Sequence, residues 1–415
     1  MGKRILLLGY NFHPEPTGIG KYSGEMIYWL ANQGYHCTVI TTYPYYPFWK
    51  VQEPYYKNRY WYKIEEQIFE SGGKIVVHRC PMYVPSNPSG LKRVLLDFSF
   101  LITAFFKLIQ LIPGKKYNWV FTVVPSFQFG LLGILYKKVR SAKLFYHIQD
   151  MQIEVARDLQ IIKSDKIIKS LFRLENYIFN QSDVISSISE GMVQKIREKA
   201  KKEIFLLPNW TDNNLFFPIK DRNALKEMFG FKANDQIILY SGAIGEKQGL
   251  ESILYAANQA KHIEEWKFVI CGSGPYRGKL QSLAKELHLR NVIFLPLQPF
   301  ELFNRFLNVA DLHLVIQKAN ASDLVMPSKL TTILAVGGLA LITANIGSGL
   351  HTLIDKYKMG MLVQAENQEA LNQGIRKALH CENKEAITAN ARSYAERYLS
   401  IDNIMKSLED CVLKY

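Results

Sequence analysis

Residues 327–343 constrain the fold most tightly. Pro327-Ser328-Lys329 opens a stretch in which Leu330, Ile333, Leu334 and Gly337 recur at helical spacing, so one helix face is buried. Proline fits a first helical turn, where its missing N–H would have no partner anyway. Gly337 and Gly338 stop the helix, and residues 339–343 (Leu-Ala-Leu-Ile-Thr) read as a strand covered on both faces. A helix that runs within two residues into such a strand belongs to a sheet held between helical layers. The helix N-terminus carries unpaired N–H groups and the positive end of the dipole, with the Ser328 hydroxyl and the Lys329 cation beside it. That is chemistry suited to a phosphate. It is also how an ordinary buried helix of an α/β domain begins, and this stretch alone leaves both readings open.

The same alternation fills the chain. Strand patterns fall at 4–10, 37–42, 74–80, 119–124, 143–147 and 184–189, then at 237–241, 267–271, 292–295, 312–316, 339–343 and 361–363. Helical patterns lie between them. One of these, 21–32, places Tyr22, Met26, Trp29 and Leu30 on one face. A turn-rich segment, 208–218, separates two such series. The expected fold is α/β: two doubly wound, parallel-sheet, Rossmann-like domains facing across a cleft, with ligands at the carboxyl ends of the strands. The expected boundaries are 1–207, 208–389, and a helical 390–415 crossing back to the first domain.

Charge divides unevenly between the halves. Residues 1–205 hold 28 Lys and Arg against 16 Asp and Glu, whereas residues 206–415 hold 23 against 21. A basic half suits an anionic partner such as a membrane, a nucleic acid or a phosphorylated substrate, and it equally suits a plain soluble surface. No nucleic-acid module is recognisable in it. The five cysteines are dispersed and form no C-x-x-C pair, which points to a reducing compartment and away from a disulfide framework or zinc. Met1-Gly2-Lys3-Arg4-Ile5 leads straight into a short strand and does not resemble a signal peptide.

Two segments stand out in the basic half. Residues 43–64 are dense in Tyr, with three Pro, Trp49, Trp61 and Phe48, and with Lys50, Lys57, Arg59 and Lys63 interspersed. Such a loop lines a sugar site, lies at a membrane interface, or packs as an aromatic flap. Residues 92–113 form a nearly all-apolar helical run broken by Asp97 and Lys107 and flanked by Lys92, Arg93, Lys115 and Lys116. Its length is borderline for a span. A helix in the membrane interface and a crossover helix of the sheet fit it better.

Three short motifs of the second half fall at strand ends: Ser241-Gly242-Ala243-Ile244-Gly245-Glu246-Lys247, Cys271-Gly272-Ser273-Gly274-Pro275, and Met326-Pro327-Ser328-Lys329. Their glycines let backbone turn closely, and Lys247 and Lys329 are point charges suited to phosphate. Together they suggest a nucleotide diphosphate. No Asp-x-Asp pair occurs, which weighs against a carboxylate-held divalent metal.

On these strings, with Pro14-Glu15-Pro16-Thr17-Gly18-Ile19-Gly20-Lys21, Leu207-Pro208-Asn209-Trp210 and Lys329-Leu330-Thr331-Thr332-Ile333-Leu334-Ala335-Val336-Gly337-Gly338, the chain resembles the family 4 glycosyltransferases of the GT-B fold. It is most similar to the colanic-acid type, which includes fucosyltransferases of exopolysaccharide synthesis. The resemblance spans nearly the whole chain. It implies a retaining, metal-independent transfer of a sugar, fucose from GDP-fucose among the candidates, from a GDP or UDP donor to a lipid-linked oligosaccharide.

The resemblance also implies site residues. Lys247 matches the lysine that meets the donor phosphates, and Gly18 and Gly20 match the loop that approaches the donor. His147 and Asp150 fall where relatives place a histidine near the sugar, although His147 equally reads as a satisfied strand-end residue. Ser241, Gly242, Gly272, Gly274, Leu297, Met326, Pro327, Ser328, Lys329 and Thr332 complete the expected donor-binding set. The Glu-x(7)-Glu motif of relatives is absent, with Leu324 and Thr332 in its places. No cofactor or metal is expected. The expected partners are the nucleotide-sugar donor, a polyprenyl-diphosphate-linked acceptor and an anionic membrane. The expected location is cytoplasmic, peripheral on the inner face of the plasma membrane. A nucleotide-sugar epimerase and a non-catalytic nucleotide-sugar binder of the same fold are the alternatives.

Overall fold

The computed structural model describes residues 3–16, 18–158, 162, 164–319 and 327–414; the side chains of Val155, Asp158 and Lys247 lie outside it. The chain divides into two compact units, residues 1–208 with 405–415, and residues 209–404. The segment expected to leave the second domain at 390 stays with it until Ile404. The Lys384–Tyr398 helix packs against the Ser328–Ala335 helix, burying Ala391 and Ala395. Past that point Lys3 Nζ donates to the Leu413 carbonyl at 3.2 Å, and Tyr35 Oη donates to Glu409 at 2.8 Å.

The first unit holds an eight-stranded sheet in the order β3-β4-β2-β1-β5-β6-β7-β8. Its strands are β1 (Arg4–Leu8), β2 (His36–Thr41), β3 (Lys63–Ile68), β4 (Lys74–Arg79), β5 (Trp119–Val124), β6 (Lys143–Ile148), β7 (Val184–Ser187) and β8 (Ile204–Leu206). All neighbours are parallel except β3, which runs antiparallel to β4. Central β1 is uniformly apolar after Arg4 because both its faces are covered. Helix α1 (Gly18–Asn32) buries Tyr22, Met26, Trp29 and Leu30, the face its spacing predicts.

Strand β3 is absent from the sequence reading, which runs the aromatic loop through Ile64. It reads Lys-Ile-Glu-Glu-Gln-Ile and is largely exposed, as an edge strand with one solvated face can be. Its inner carboxylate, Glu65, meets the buried Arg79 at 3.1 Å. Arg79 also donates to the carbonyls of Thr42 and His13, so one guanidinium joins β3 to two loops.

Helix α2 (Gly90–Leu111) occupies the apolar run. Leu96, Phe100, Ala104 and Leu108 form a buried stripe at four-residue spacing. Phe98, Ile102, Phe105, Phe106 and Ile109 remain exposed. The helix is long and apolar enough to cross a membrane by length and composition, yet one stripe of it is covered by its own unit.

The second unit holds a six-stranded parallel sheet, β11-β10-β9-β12-β13-β14. The strands are β9 (Gln236–Ser241), β10 (Trp266–Cys271), β11 (Val292–Leu295), β12 (Leu312–Val315), β13 (Ala340–Thr343) and β14 (Met361–Val363). Successive residues alternate between two cores. Ile237, Leu239 and Val269 face one; Ile238, Tyr240, Phe268 and Ile270 face the other. The Ser328–Ala335 helix buries Leu330, Ile333 and Leu334, and Gly337 turns the chain at φ +60° into β13, every residue of which is buried.

Candidate functional site

In the second unit the strand-end motifs come together around β9 and β10. Past Ser241 and Cys271, which pair in register, the ladder continues through the loops. Gly242 N–H donates to the Cys271 carbonyl (3.0 Å), Ile244 N–H to Ser273 (2.9 Å), and Tyr276 N–H to Ile244 (3.3 Å). Gly272 and Gly274 have φ of +153° and +156°. A Cβ on Gly272 would lie 1.9 Å from the Gly242 carbonyl oxygen, and one on Gly274 would lie 2.1 Å from that of Ile244. These two glycines are therefore required by the fit of one loop on the other, a packing reason separate from the donor-binding role expected of them. Leu297 lies half-buried two residues beyond the end of β11.

Gly242 has a different neighbour. A Cβ there would lie 3.0 Å from both Cε and Nζ of Lys329. Lys329 sits in the first turn of the Ser328–Ala335 helix, with Pro327 as N-cap and Ser328 exposed. Its stem is partly exposed but its Nζ is covered, 3.5 Å from the Tyr240 ring centroid, with no hydrogen-bond partner among the described residues. Burial holds the amine down to about 7. The Tyr240 hydroxyl donates to the Ala243 carbonyl at 2.7 Å, and the amine lies over the ring face rather than at the hydroxyl oxygen. A buried donor without an acceptor is uncommon, and it marks a place where an anion would be favoured.

Two expectations change here. Thr332 is 8% exposed, and its hydroxyl donates to the Lys329 carbonyl at 3.0 Å, so its one donor is used within its own helix. Lys247 does not open an α-helix. Its backbone lies in a one-turn 3₁₀ segment, Glu246–Gln248, closed by Gly249 at φ +65°, and the α-helix begins at Glu251. Met326 and Leu324 lie outside the described residues, as does the Lys247 side chain.

In the first unit the opening of α1, Gly18 to Gly20, is organised by a residue outside the expected set, Glu15. Glu15 is 3% exposed. Its Oε1 accepts the N–H groups of Tyr45 (3.1 Å) and Tyr46 (3.0 Å), and its Oε2 accepts Asn11 Nδ2 (2.8 Å). Burial pushes the carboxyl up to about 7, against the pull of these bonds. A Cβ on Gly20 would lie 2.4 Å from Glu15 Oε2, so Gly20 makes room for this carboxylate. Gly18 starts α1 at φ +62°, a conformation that suits glycine. Glu15 thus fastens the first βα loop to the aromatic segment.

His147 lies within β6, between Val123 and Ser186, and is 4% exposed. Its Nδ1 is 2.8 Å from Ser186 Oγ, and burial lowers it to about 3. It is a neutral histidine packed in the sheet rather than an acid or base presented at its end. Asp150 does lie just past the end of β6, half-buried. Near it are two groups that are not among the expected site residues. Burial raises the Tyr10 phenol, and the charges of Asp97 and Asp150 add to that rise. The Asp97 carboxyl, reaching from α2, is raised by burial to about 6. Among the described residues no three His, Cys, Asp or Glu side chains form a group that could hold a metal.

Two doubly wound α/β units with basic and glycine-rich strand-end loops define a GT-B architecture, and the comparisons agree. Residues 17–210 match the glycosyl transferase 4-like domain and residues 221–394 match the glycosyl transferases group 1. The chain belongs to this glycosyltransferase family and is a glycosyltransferase. Over 412 residues it is 40% identical to the colanic acid biosynthesis glycosyl transferase WcaI of Escherichia coli K12, covering 97% of this chain and 98% of that protein. Among solved structures, sucrose-phosphate synthase from Thermosynechococcus elongatus superposes with a TM-score of 0.78 at 16% identity, covering 99% and 98% of the two chains. Anabaena Alr3699/HepE, solved with UDP and glucose, gives 0.71 at 14% identity over the whole of both chains. These structural likenesses establish the fold.

Proposed function

We propose that this glycosyltransferase takes its sugar from a nucleotide diphosphate and delivers it, with retention and without a metal, to a lipid-linked oligosaccharide in exopolysaccharide synthesis. One observation carries the reading: the Lys329 Nζ, covered and with no acceptor among the described residues, beside Gly242 and at the N-terminal end of a helix. A donor diphosphate supplies an acceptor of matching charge. As the sugar C1–O bond breaks, negative charge grows on the leaving phosphate, and a pre-placed cation with helix N–H groups stabilises that charge more than the ground state. Lys247, from its family position, adds a second cation. The acceptor hydroxyl forms the new C1–O bond on the face the phosphate leaves, and its proton passes to a phosphate oxygen, so no carboxylate pair is required.

The nucleotide-sugar donor is supported by the UDP and glucose in the HepE structure, and the polysaccharide role by the colanic-acid relative. The peripheral membrane location is supported by the exposed apolar face of α2 and its basic flanks. GDP-fucose is the first donor to test. A panel of GDP- and UDP-sugars, with hydrolysis and transfer scored separately, tests the proposal. Turnover of one donor is expected. Tight binding of a nucleotide sugar with neither hydrolysis nor transfer would overturn it.

A further inference from the structure

The exposed face of α2 continues onto the aromatic segment beside it. Tyr62 Oη donates to the Thr103 carbonyl at 3.0 Å, and Lys107 Nζ lies 4.9 Å from the Tyr62 ring centroid. At the start of the helix Arg93 stacks on Trp49 at 5.3 Å. The loop is thus fastened along α2 from Arg93 to Lys107, about 20 Å of helix. Its outer side carries Tyr60 (68% exposed) and Trp61 (73% exposed), next to Ile64 on β3. Tyr43 Oη holds the Trp61 carbonyl at 2.7 Å, and Arg59 sits 3.7 Å from the Tyr56 ring centroid and 4.2 Å from that of Tyr60. The backbone under these rings is therefore braced, and their exposure is a fixed feature.

We propose that Tyr60 and Trp61 form a second lipid-contacting element, which enters the interface of an anionic bilayer beside α2. The proposal rests on the peripheral-membrane reading above. Charge selects this occupant. Residues 48–62 and 90–116 together hold eight Lys and Arg against Glu53 and Asp97. Trp and Tyr favour the headgroup level of a bilayer, where one end of the ring is wet and the other apolar. A glycan would also stack on exposed aromatic rings. It would gain little from the adjoining Phe98, Ile102 and Phe106, which offer it no hydrogen bonds and which a lipid surface covers.

Trp61 makes the test direct. Of the six tryptophans, Trp29, Trp119, Trp210 and Trp266 are buried and Trp49 is half-buried, so quenching by lipid reports on Trp61. The full chain is titrated with phosphatidylcholine–phosphatidylglycerol vesicles carrying brominated acyl chains. Quenching with a blue shift is expected, and Trp61→Phe should abolish it while vesicle binding persists. Replacing Tyr60 and Trp61 together by Ser should weaken binding about tenfold. Vesicle binding that leaves Trp61 unquenched and the double variant unaffected overturns this inference while the membrane reading stands. No binding of the unaltered protein at low salt overturns both. An emission change with soluble oligosaccharide and none with vesicles assigns the rings to a glycan and also overturns the inference.

Discussion

Lys329→Met keeps the side-chain stem and removes the amine, so it isolates the charge. Burial holds that amine down to about 7, against an ordinary value of 10.5. A bound diphosphate brings acceptors and opposite charge, both of which favour the ammonium form. The sign follows from linkage. Below about 7 the amine is already charged, and donor affinity is fully present. Above it a proton must be taken up on binding, and affinity falls about tenfold per pH unit until the bound-state value is reached. From pH 7 to pH 9 the loss is roughly fifty-fold. In Lys329→Met this slope should vanish. At pH 7 the variant should bind nucleotide more weakly by about 1.5–3 kcal/mol, the worth of a hydrogen bond to a charged group. Calorimetry of GDP and UDP across this range, in two buffers of different ionisation enthalpy, reads both the affinity and the proton uptake. Ionisation of the nucleotide itself appears equally in both proteins and cancels. Parallel pH curves for the two proteins, or equal affinity at pH 7, would show that the Lys329 amine does not meet the donor phosphates.

Three further outcomes are expected. Gly272→Ala places a methyl against the Gly242 carbonyl oxygen at a φ that disfavours side chains, and should destabilise the second unit by about 1–3 kcal/mol, read as a lower urea midpoint. His147 stays neutral in the fold down to about 3, so its contribution to stability is present above its unfolded value of 6.5 and is lost as pH falls toward 3. Stability of the wild type relative to His147→Phe should therefore decline across that window, while kcat/KM between pH 7 and 8 keeps the same profile in both; a His147-dependent limb there would contradict the packing role. Thr332→Val removes only a bond within its own helix and should leave GDP and UDP affinity within about threefold, because the hydroxyl is already engaged; a large loss would restore Thr332 to the donor site.

The sequence displayed the fold wherever burial was two-sided. Residues 328–343 and the α1 face could be read because their apolar periodicity has a single structural solution. Strand β3 could not, because a solvated edge strand reads as polar loop. The candidate site was legible as a set of residue types and less so as roles. Glycine shows that backbone comes close to something, and only coordinates tell whether that is a ligand, another loop as at Gly272, or a carboxylate as at Gly20. A histidine near a strand end looks the same in sequence whether it faces solvent or, as His147 does, the inside of the sheet. Glu15 offers one signal, an acidic residue between two prolines and three positions before Gly18. Its partners, the N–H groups of Tyr45 and Tyr46, lie thirty residues away and have no side-chain signature.

Transfer itself is the most direct test. With the donor identified from the panel, sugar transfer to a polyprenyl-diphosphate-linked acceptor is followed in the presence of EDTA, for the unaltered protein and for Lys329→Met. The expected product has the donor's anomeric configuration and forms without added metal, with a rate lowered by on the order of a hundredfold in the variant. An inverted product, a strict requirement for divalent metal, or full activity without the Lys329 amine would contradict the proposed mechanism.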